Sequence, residues 1–388
     1  MRPPRFCPPW SRPSLRSERL AATLLLAAAA IGLALANSPL AAAALAARDA
    51  RWGPESLELS TAQWISDGLL AVFFLVAAIE LGHELRLGEL SSPARALRPA
   101  IAAGCGVLVP ALLYLALAAG SGEASGWPIP TATDVAFALG VLALLGRGLP
   151  AGIRAFVLAL AVLDDLIAIL VIAVLFTDRV DVVDLVLAAL CLLGVGVLSR
   201  VPEPWLQPVT AVLALVVWYL VHDSGVHATI AGVAVGLVLP RRGAARLRHA
   251  LEPWVNGGVL PLYALSAAMV AIPAVGLGGL SAPFWAILLA LPIGKLLGIS
   301  AGAWLGAAVQ QRRLRPRVSV LELLAVGALG GVGFTVSLLL AELAFAEEPR
   351  LRAEATLAVL AGSSVGMLAG GLLVAALARR VRRGDDGR

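Results

Sequence analysis

The sequence predicts an all-α integral membrane protein, because its composition, its long apolar stretches and its charge distribution all favour helices in a bilayer. Of the 388 residues, 60% are hydrophobic and only 14% are charged. A soluble domain has about 45 to 50% apolar and about 25% charged residues. Aromatic residues make up only 5%. The apolar content is mostly Ala, Leu, Val and Gly, which favours closely packed helices over alternating strands.

Twelve apolar stretches are long enough to cross a bilayer, which takes about 17 to 25 mostly apolar residues. We expect them to form one membrane domain, residues 20–378, between basic tails at 1–19 and 379–388. The stretches are 20–36, 66–84, 99–119, 128–145, 151–176, 182–198, 205–221, 226–239, 254–273, 282–308, 320–345 and 354–378.

The arginines predict the orientation, because basic residues concentrate in cytoplasmic loops and tails. The two tails and the even-numbered connections hold 24 arginines, against 5 in the odd-numbered connections. We therefore expect a multi-pass membrane protein with both termini in the cytoplasm. This charge follows topology in the lipid bilayer and does not indicate nucleic acid as a partner. Acidic residues near the ends of the stretches, such as Asp184 and Glu342, are expected to be solvated loop charges on the outer side.

Four ionisable residues lie well inside apolar stretches, away from their ends. Lys295, the only lysine, lies near the middle of the tenth stretch, whereas Asp134, Asp164 and Asp165 interrupt the fourth and fifth. Each charge near the bilayer centre costs about 2.5 to 3.5 kcal/mol, so four unpaired charges would cost on the order of 10 to 14 kcal/mol. Adjacent helix positions point about 100° apart. One aspartate of the pair can therefore face a water-filled cavity while the other faces another helix, such as the one with Lys295.

These residues suit an exchange of cations for protons. Carboxylates with hydroxyl and carbonyl oxygens are the ligands that a hard cation such as Na⁺ prefers. Protons compete for the same oxygens, so a site that opens to one side at a time and cannot hold both loads exchanges one for the other. A buried lysine can lose its proton, unlike arginine. The pattern leaves open whether Lys295 carries a proton or is only a counter-charge.

Two stretches are poor continuous helices. Pro128 and Pro130 open the fourth, where they remove helix hydrogen bonds. Residues 330–333 of the eleventh include three glycines, which permit local unwinding. These stretches are the middle members of stretches 3–5 and 10–12, and the offset of seven predicts inverted repeats. We expect the two broken helices to cross, with Asp134 and Lys295 balancing their end charges.

Several segments resemble the NhaA-type sodium/proton antiporters, in order from about residue 20 to residue 377. The family is itself a known case of inverted repeats, so that repeat is not an independent prediction. The segments are 35–39 (LANSP), 66–74 (SDGLLAVFF), 129–142 (IPTATDVAFALGVL), 163–166 (LDDL), 225–232 (GVHATIAG) and 333–337 (GFTVS).

The resemblance implies an electrogenic antiporter of the bacterial cell inner membrane. It would export Na⁺ or Li⁺ while a larger number of protons enters, without a cofactor, in sodium transport and pH homeostasis. Asp165 would be the main carboxylate for Na⁺ and protons, and Asp164 would engage Lys295 or share the cation. Thr133 and Asp134 would assist the ion or balance helix ends. Residues 50–63 would form an external hairpin that joins two copies into a homodimer.

The resemblance also implies a cytoplasmic funnel with a pH response, and here the chain departs from the family. Glu80 and Glu84 match acidic funnel positions, but the basic residues often found between them are absent. In 246–254 an arginine stands where family members have an acid, next to His249, and Glu252 stands where they have a second histidine. These changes leave the central residues intact and bear on the pH at which transport begins.

Two other functions fit the pattern less well. A sodium-coupled symporter of a small organic anion on a related fold would need a polar cavity for the anion, and the apolar stretches offer little beyond the aspartates. An intramembrane aspartyl protease could pair Asp134 with Asp165, but neither aspartate lies in the Gly-x-Gly-Asp segment that such proteases share. We therefore expect a transporter and not an enzyme.

Overall fold

The computed structural model describes residues 18–385 except 55–56, 147–148, 150, 178–179, 202, 204, 273–276 and 311–318. Most of the predicted N-terminal tail, the last three residues and the arginines at 147, 179 and 312–317 therefore lie outside the described residues.

Helices make up most of the described chain. The first ten are α1 Glu18–Ala36, α2 Ala41–Asp49, α3 Thr61–Gln63, α4 Leu70–Leu87, α5 Pro93–Leu117, α6 Val135–Leu145, α7 Ala151–Leu175, α8 Val182–Leu198, α9 Leu206–Asp223 and α10 Thr229–Val238. The others are α11 Arg241–Trp254, α12 Leu260–Ala267, α13 Ala282–Leu289, α14 Lys295–Gln310, α15 Val320–Gly330, α16 Phe334–Ala344 and α17 Pro349–Asp385. Turns of π-helix join α3 to α4, α11 to α12 and α13 to α14 at Trp64–Leu69, Val255–Val259 and Ala290–Gly294.

The helices confirm the predicted class, an α-helical membrane protein. In the described ranges, six helices are long and apolar enough to cross a membrane, or eight if two bent pairs each count as one span. Two shorter apolar helices, α8 and α10, add to these. Helical segments lie within each of the twelve predicted stretches.

Both predicted helix breaks are present. In the fourth stretch a single 3₁₀ turn at Ile129–Thr131 is followed by extended residues and then by α6. In the eleventh, α15 and α16 meet at an angle of 47°. A β-carbon at Gly333 would lie 3.0 Å from the carbonyl oxygen of Ala132. The glycine therefore allows the two breaks to approach each other closely.

The breaks lie where two clusters of buried apolar side chains meet. One cluster includes Ile129, Val332 and Phe334 and extends to α1, α12 and α17. The other packs α15 against α5, α7 and α14, with Ile299 and Val326 among its members. This packing on both sides holds the irregular backbone inside the protein, where its polar groups can find protein partners.

The segment 50–63 contains the hairpin that the resemblance implies. Strand β1, Arg51–Trp52, pairs antiparallel with β2, Leu59–Ser60. The indole of Trp52 stacks on that of Trp64, with ring centres 5.1 Å apart. The hairpin is therefore anchored against the start of the helix that includes α4.

Two acidic residues are not the loop charges that the sequence suggested. Glu342 lies in α16 and is half-buried, because the apolar helix continues two residues beyond it. Asp184 lies in the first turn of α8, behind the N-cap residue Asp181, where a negative charge is favourable. In addition, α17 remains helical through Asp385, so the described part of the C-terminal tail continues that helix.

Candidate ion site

Asp164 of α7 and Lys295 of α14 form an ion pair inside the protein. Both side chains are completely buried. Lys295 follows directly on the π-helical turn that contains Pro292, a residue with no backbone N–H to donate. The sequence left open which group Lys295 faces, and in the structure its partner is Asp164.

Thr133 brings the first helix break to this ion pair. Its hydroxyl lies 2.5 Å from Oδ2 of Asp164 and 2.9 Å from the carbonyl oxygen of Gly330, the last residue of α15. A hydroxyl has one hydrogen, so it donates to one of these oxygens at a time. The other carboxylate oxygen of Asp164, Oδ1, is buried and has no hydrogen-bond partner among the described residues. Because such an oxygen is costly to leave unpaired, it is a ready acceptor for a proton or a cation.

Asp134 joins the two breaks. Its Oδ1 accepts from the backbone N–H of Phe137, 3.2 Å away, and so caps α6. Its Oδ2 accepts from the backbone N–H and the hydroxyl of Thr335, at 3.2 and 2.7 Å, in the first turn of α16. Its own N–H donates to the carbonyl of Val332, 2.6 Å away. The carboxylate therefore faces the positive ends of two helices.

Asp165 faces a different environment from its neighbour. Only 8% of the residue is exposed, and it lines a cavity of about 490 Å³. No hydrogen bond or ion pair to its carboxylate is found in the described part of the chain. The two neighbouring aspartates therefore have different surroundings, since one pairs with the lysine and the other lies at a cavity. The other polar residues that line this cavity are Glu80, Arg154, Arg248, Glu252 and Asn256.

The predicted funnel residues separate into three places. Glu80 and Glu252 line the Asp165 cavity. His249 lines a neighbouring cavity of about 460 Å³. Glu84 is buried, lies against Gly88 and lines neither cavity. The four acidic and histidine positions therefore do not form one cluster.

The two segments that depart from the family pattern meet in space. Arg248 of α11 forms an ion pair with Glu80 of α4. The side chains are 33% and 27% exposed, respectively. No lysine or arginine stands between Glu80 and Glu84 in this sequence. The basic partner of Glu80 comes instead from another helix.

Sequence reasoning assigned no role to two of these partners. Thr335 lies two residues after the glycine run 330–333, and a hydroxyl in a first helical turn is the signal that could have indicated a helix-end contact. Arg248 belongs to a highly amphipathic helix, but its pairing with Glu80 has no signal in either segment alone.

The oxygens here suit a hard cation more than a soft metal. The carboxylate of Asp165 and the open Oδ1 of Asp164 are on adjacent residues, and hard cations prefer oxygen ligands. Within the described ranges, no group of three or more His, Cys, Asp and Glu side chains is placed to hold a metal ion. A sodium ion at this carboxylate pair would be transported cargo.

Buried carboxylates and a lysine between interrupted helices define the interior of a membrane ion transporter. The model of the family described as Na⁺/H⁺ antiporter 1 matches residues 12–374. The chain is 53% identical to Na⁺/H⁺ antiporter NhaA 2 of Clavibacter michiganensis subsp. michiganensis, over 95% of this chain and 93% of that protein. It is 43% identical to the NhaA antiporter of Streptomyces antibioticus, over 93% and 78% of the two chains. It is also 43% identical to that of Tropheryma whipplei strain Twist, over 90% and 91%. The chain belongs to the NhaA-type Na⁺/H⁺ antiporter family.

Proposed function

We propose that the protein exchanges Na⁺ or Li⁺ for H⁺ across the membrane, with Asp164 and Asp165 as the shared site for cation and protons. One observation carries the proposal: Asp165 lies at a cavity without an ion-pair partner, beside Asp164, whose Oδ1 has no hydrogen-bond partner in the described ranges. Two adjacent ionised carboxylates repel each other, and either a cation or protons relieve that repulsion. The relatives named Na⁺/H⁺ antiporters support the same function, and they do not favour the anion symporter.

Competition at these oxygens gives the exchange. With Asp165 ionised, its carboxylate attracts Na⁺ from the cavity, and protonation of that carboxylate releases the ion. A cation that also engages Oδ1 of Asp164 weakens the attraction between Asp164 and Lys295. Opening to one side at a time then exports Na⁺ and admits H⁺.

We further propose that more protons than cations move in each cycle, so that transport is electrogenic. Each net charge moved is driven by about 2.3 kcal/mol per 100 mV. Thr133 and Asp134 hold the broken helices in register at the site. Glu80 and Glu252 attract cations into the cavity, and with Glu84 and His249 they adjust the response to pH.

The architecture that we propose has twelve spans in one domain, residues 20–378, with inverted repeats at spans 3–5 and 10–12 whose middle helices cross at their breaks. The contacts between Thr133 and Gly330 and between Asp134 and Thr335 support that crossing. Both termini lie in the cytoplasm of a bacterial cell, and the hairpin at 50–63 joins two copies as a homodimer.

The test of the function is proton movement in everted membrane vesicles. Adding Na⁺ or Li⁺ should collapse an imposed pH gradient, and Asp165→Asn should abolish this collapse, because the amide neither carries a proton nor bears a charge. Asp223→Asn is the matched control, since Asp223 is exposed at the end of α9, and it should exchange normally. Normal exchange by Asp165→Asn at equal protein level would contradict the site.

A second substitution tests whether Lys295 carries a proton. Arginine keeps the positive charge but does not lose its proton. If the amine is only a counter-charge, Lys295→Arg should retain most of the exchange; if it carries a proton, exchange should fail or move fewer charges per cycle. Charge per cycle is measured from the membrane potential that just stops exchange in proteoliposomes.

A further inference from the structure

Arg248 has no part in the exchange described above, yet it lies on the route to the site. It lines the cavity that reaches Asp165 and pairs there with Glu80. The pair joins α11 to α4 across 168 residues of sequence. About one third of the Arg248 side chain is exposed, whereas the pair at Lys295 is completely buried. The Arg248–Glu80 pair therefore lies toward the open end of the cavity.

The charges of the cavity show what this arginine changes. Its charged lining residues are three acids and two arginines, so the lining carries a formal charge of −1 when all are ionised. The charge of Arg248 is permanent, because a guanidinium is not deprotonated in proteins. Its partner Glu80 is one of the three carboxylates that line this cavity among the described residues. An arginine here therefore reduces the attraction for Na⁺ and engages one of the groups that provide it.

We propose that Arg248 determines the apparent affinity of the protein for Na⁺. Its guanidinium is a positive charge fixed to the chain that competes with Na⁺ for Glu80, and it so sets the sodium concentration at which exchange is half-maximal. The inference rests on the proposed function. A partly exposed ion pair is weakly held, so an entering cation can replace the guanidinium at Glu80. Screening by salt weakens the effect of the arginine on Na⁺.

The experiment is the KM for Na⁺ in everted vesicles at low ionic strength. Arg248→Gln should lower KM about threefold to tenfold, with the maximal rate nearly unchanged, and added choline chloride should shrink the difference. Arg246→Gln is the matched control, since Arg246 is exposed on the same helix and does not line the cavity. Arg248→Lys keeps the charge and should keep KM near the wild-type value.

Substitution of Glu80 should have the opposite effect on KM, and the double substitution should restore KM. Glu80→Gln should raise KM, because it removes an attracting charge and leaves the arginine. Glu80→Gln combined with Arg248→Gln should return KM toward the wild-type value, because the formal charge of the lining is again −1. If Arg248→Gln alone does not fold, comparing Glu80→Gln with the double variant still decides the question.

Two results would overturn the inference: a KM for Arg248→Gln equal to that of Arg246→Gln, or a double variant that stays at the KM of Glu80→Gln. Both leave the antiporter function standing, since the wild-type protein would still exchange Na⁺ for H⁺. Absence of sodium-driven proton movement in the wild-type protein would instead reject the proposed function itself.

Discussion

Two of the ion pairs in the described residues, Lys295–Asp164 and Arg248–Glu80, differ in burial more than in chemistry. Each joins a carboxylate to a basic residue on a distant helix. Lys295 and Asp164 are completely buried, and Thr133 adds a hydrogen bond to the same oxygen. Arg248 and Glu80 are about one third and one quarter exposed. Removing one partner of a buried pair leaves a charge in the protein interior, whereas water replaces the lost partner of an exposed one. Removing one partner of the buried pair should therefore cost more stability than removing one partner of the exposed pair, and the exposed pair can separate more easily.

The largest expected effect is on the buried pair. Lys295→Met leaves Asp164 without its counter-charge, so the free energy of unfolding should fall by about 3 to 5 kcal/mol. Denaturant unfolding in detergent micelles measures the change. Lys295→Met combined with Asp164→Asn removes both charges and should recover most of the loss. A loss below about 1 kcal/mol in the single variant would place this pair in the weak class of exposed ion pairs.

A smaller effect is expected beside it, at the helix breaks. Thr335→Val removes the hydroxyl that donates to Asp134 but keeps the backbone contact. Hydrogen bonds to charged groups contribute about 1.5 to 3 kcal/mol, and the unfolding free energy should fall by that amount. Thr210→Val is the comparison, because the Thr210 hydroxyl bonds only to the carbonyl of Leu206 within its own helix. Equal losses in the two variants would show that the junction at Asp134 contributes nothing extra.

The smallest effect on stability is expected at the exposed pair. Arg248→Gln should lower the free energy of unfolding by at most about 1 kcal/mol, and high salt should remove the difference from the wild-type protein. The same unfolding experiment measures it, with Arg246→Gln alongside. A loss above about 2 kcal/mol would contradict this prediction, because the exposed pair would then contribute to stability nearly as much as the buried pair.

The central residues could be predicted from the sequence because each is a charge where the surroundings are apolar. Asp134, Asp164, Asp165 and Lys295 stand out in this way, and the adjacency of two aspartates on a helix already predicted that they face different neighbours. The broken helices were equally evident from proline and glycine.

Partner choice and surface helices could not be predicted in the same way. Arg248 faces Glu80 only because α11 packs against α4, and neither segment encodes that packing by itself. The segment Arg241–Trp254 is a helix, although its low hydropathy made it a connection when only apolar stretches were sought. Glu342 was misplaced for a different reason: its charge suggested a solvated loop, although the predicted stretch ran to residue 345 and α16 ends at Ala344.

The hydroxyl of Thr133 lies within hydrogen-bond distance of both the Asp164 carboxylate and the carbonyl oxygen of Gly330. In a transporter, the occupancy of the site and the arrangement of the helices must change together. While the Asp164 carboxylate is unloaded, its Oδ2 attracts the hydroxyl hydrogen; once a proton or cation neutralises that carboxylate, the carbonyl of Gly330 becomes the better acceptor 2.9 Å away. Rotation about one side-chain bond would then report the occupancy of the carboxylate to the end of α15. Such a response to the occupancy of the carboxylate would begin without movement of the backbone.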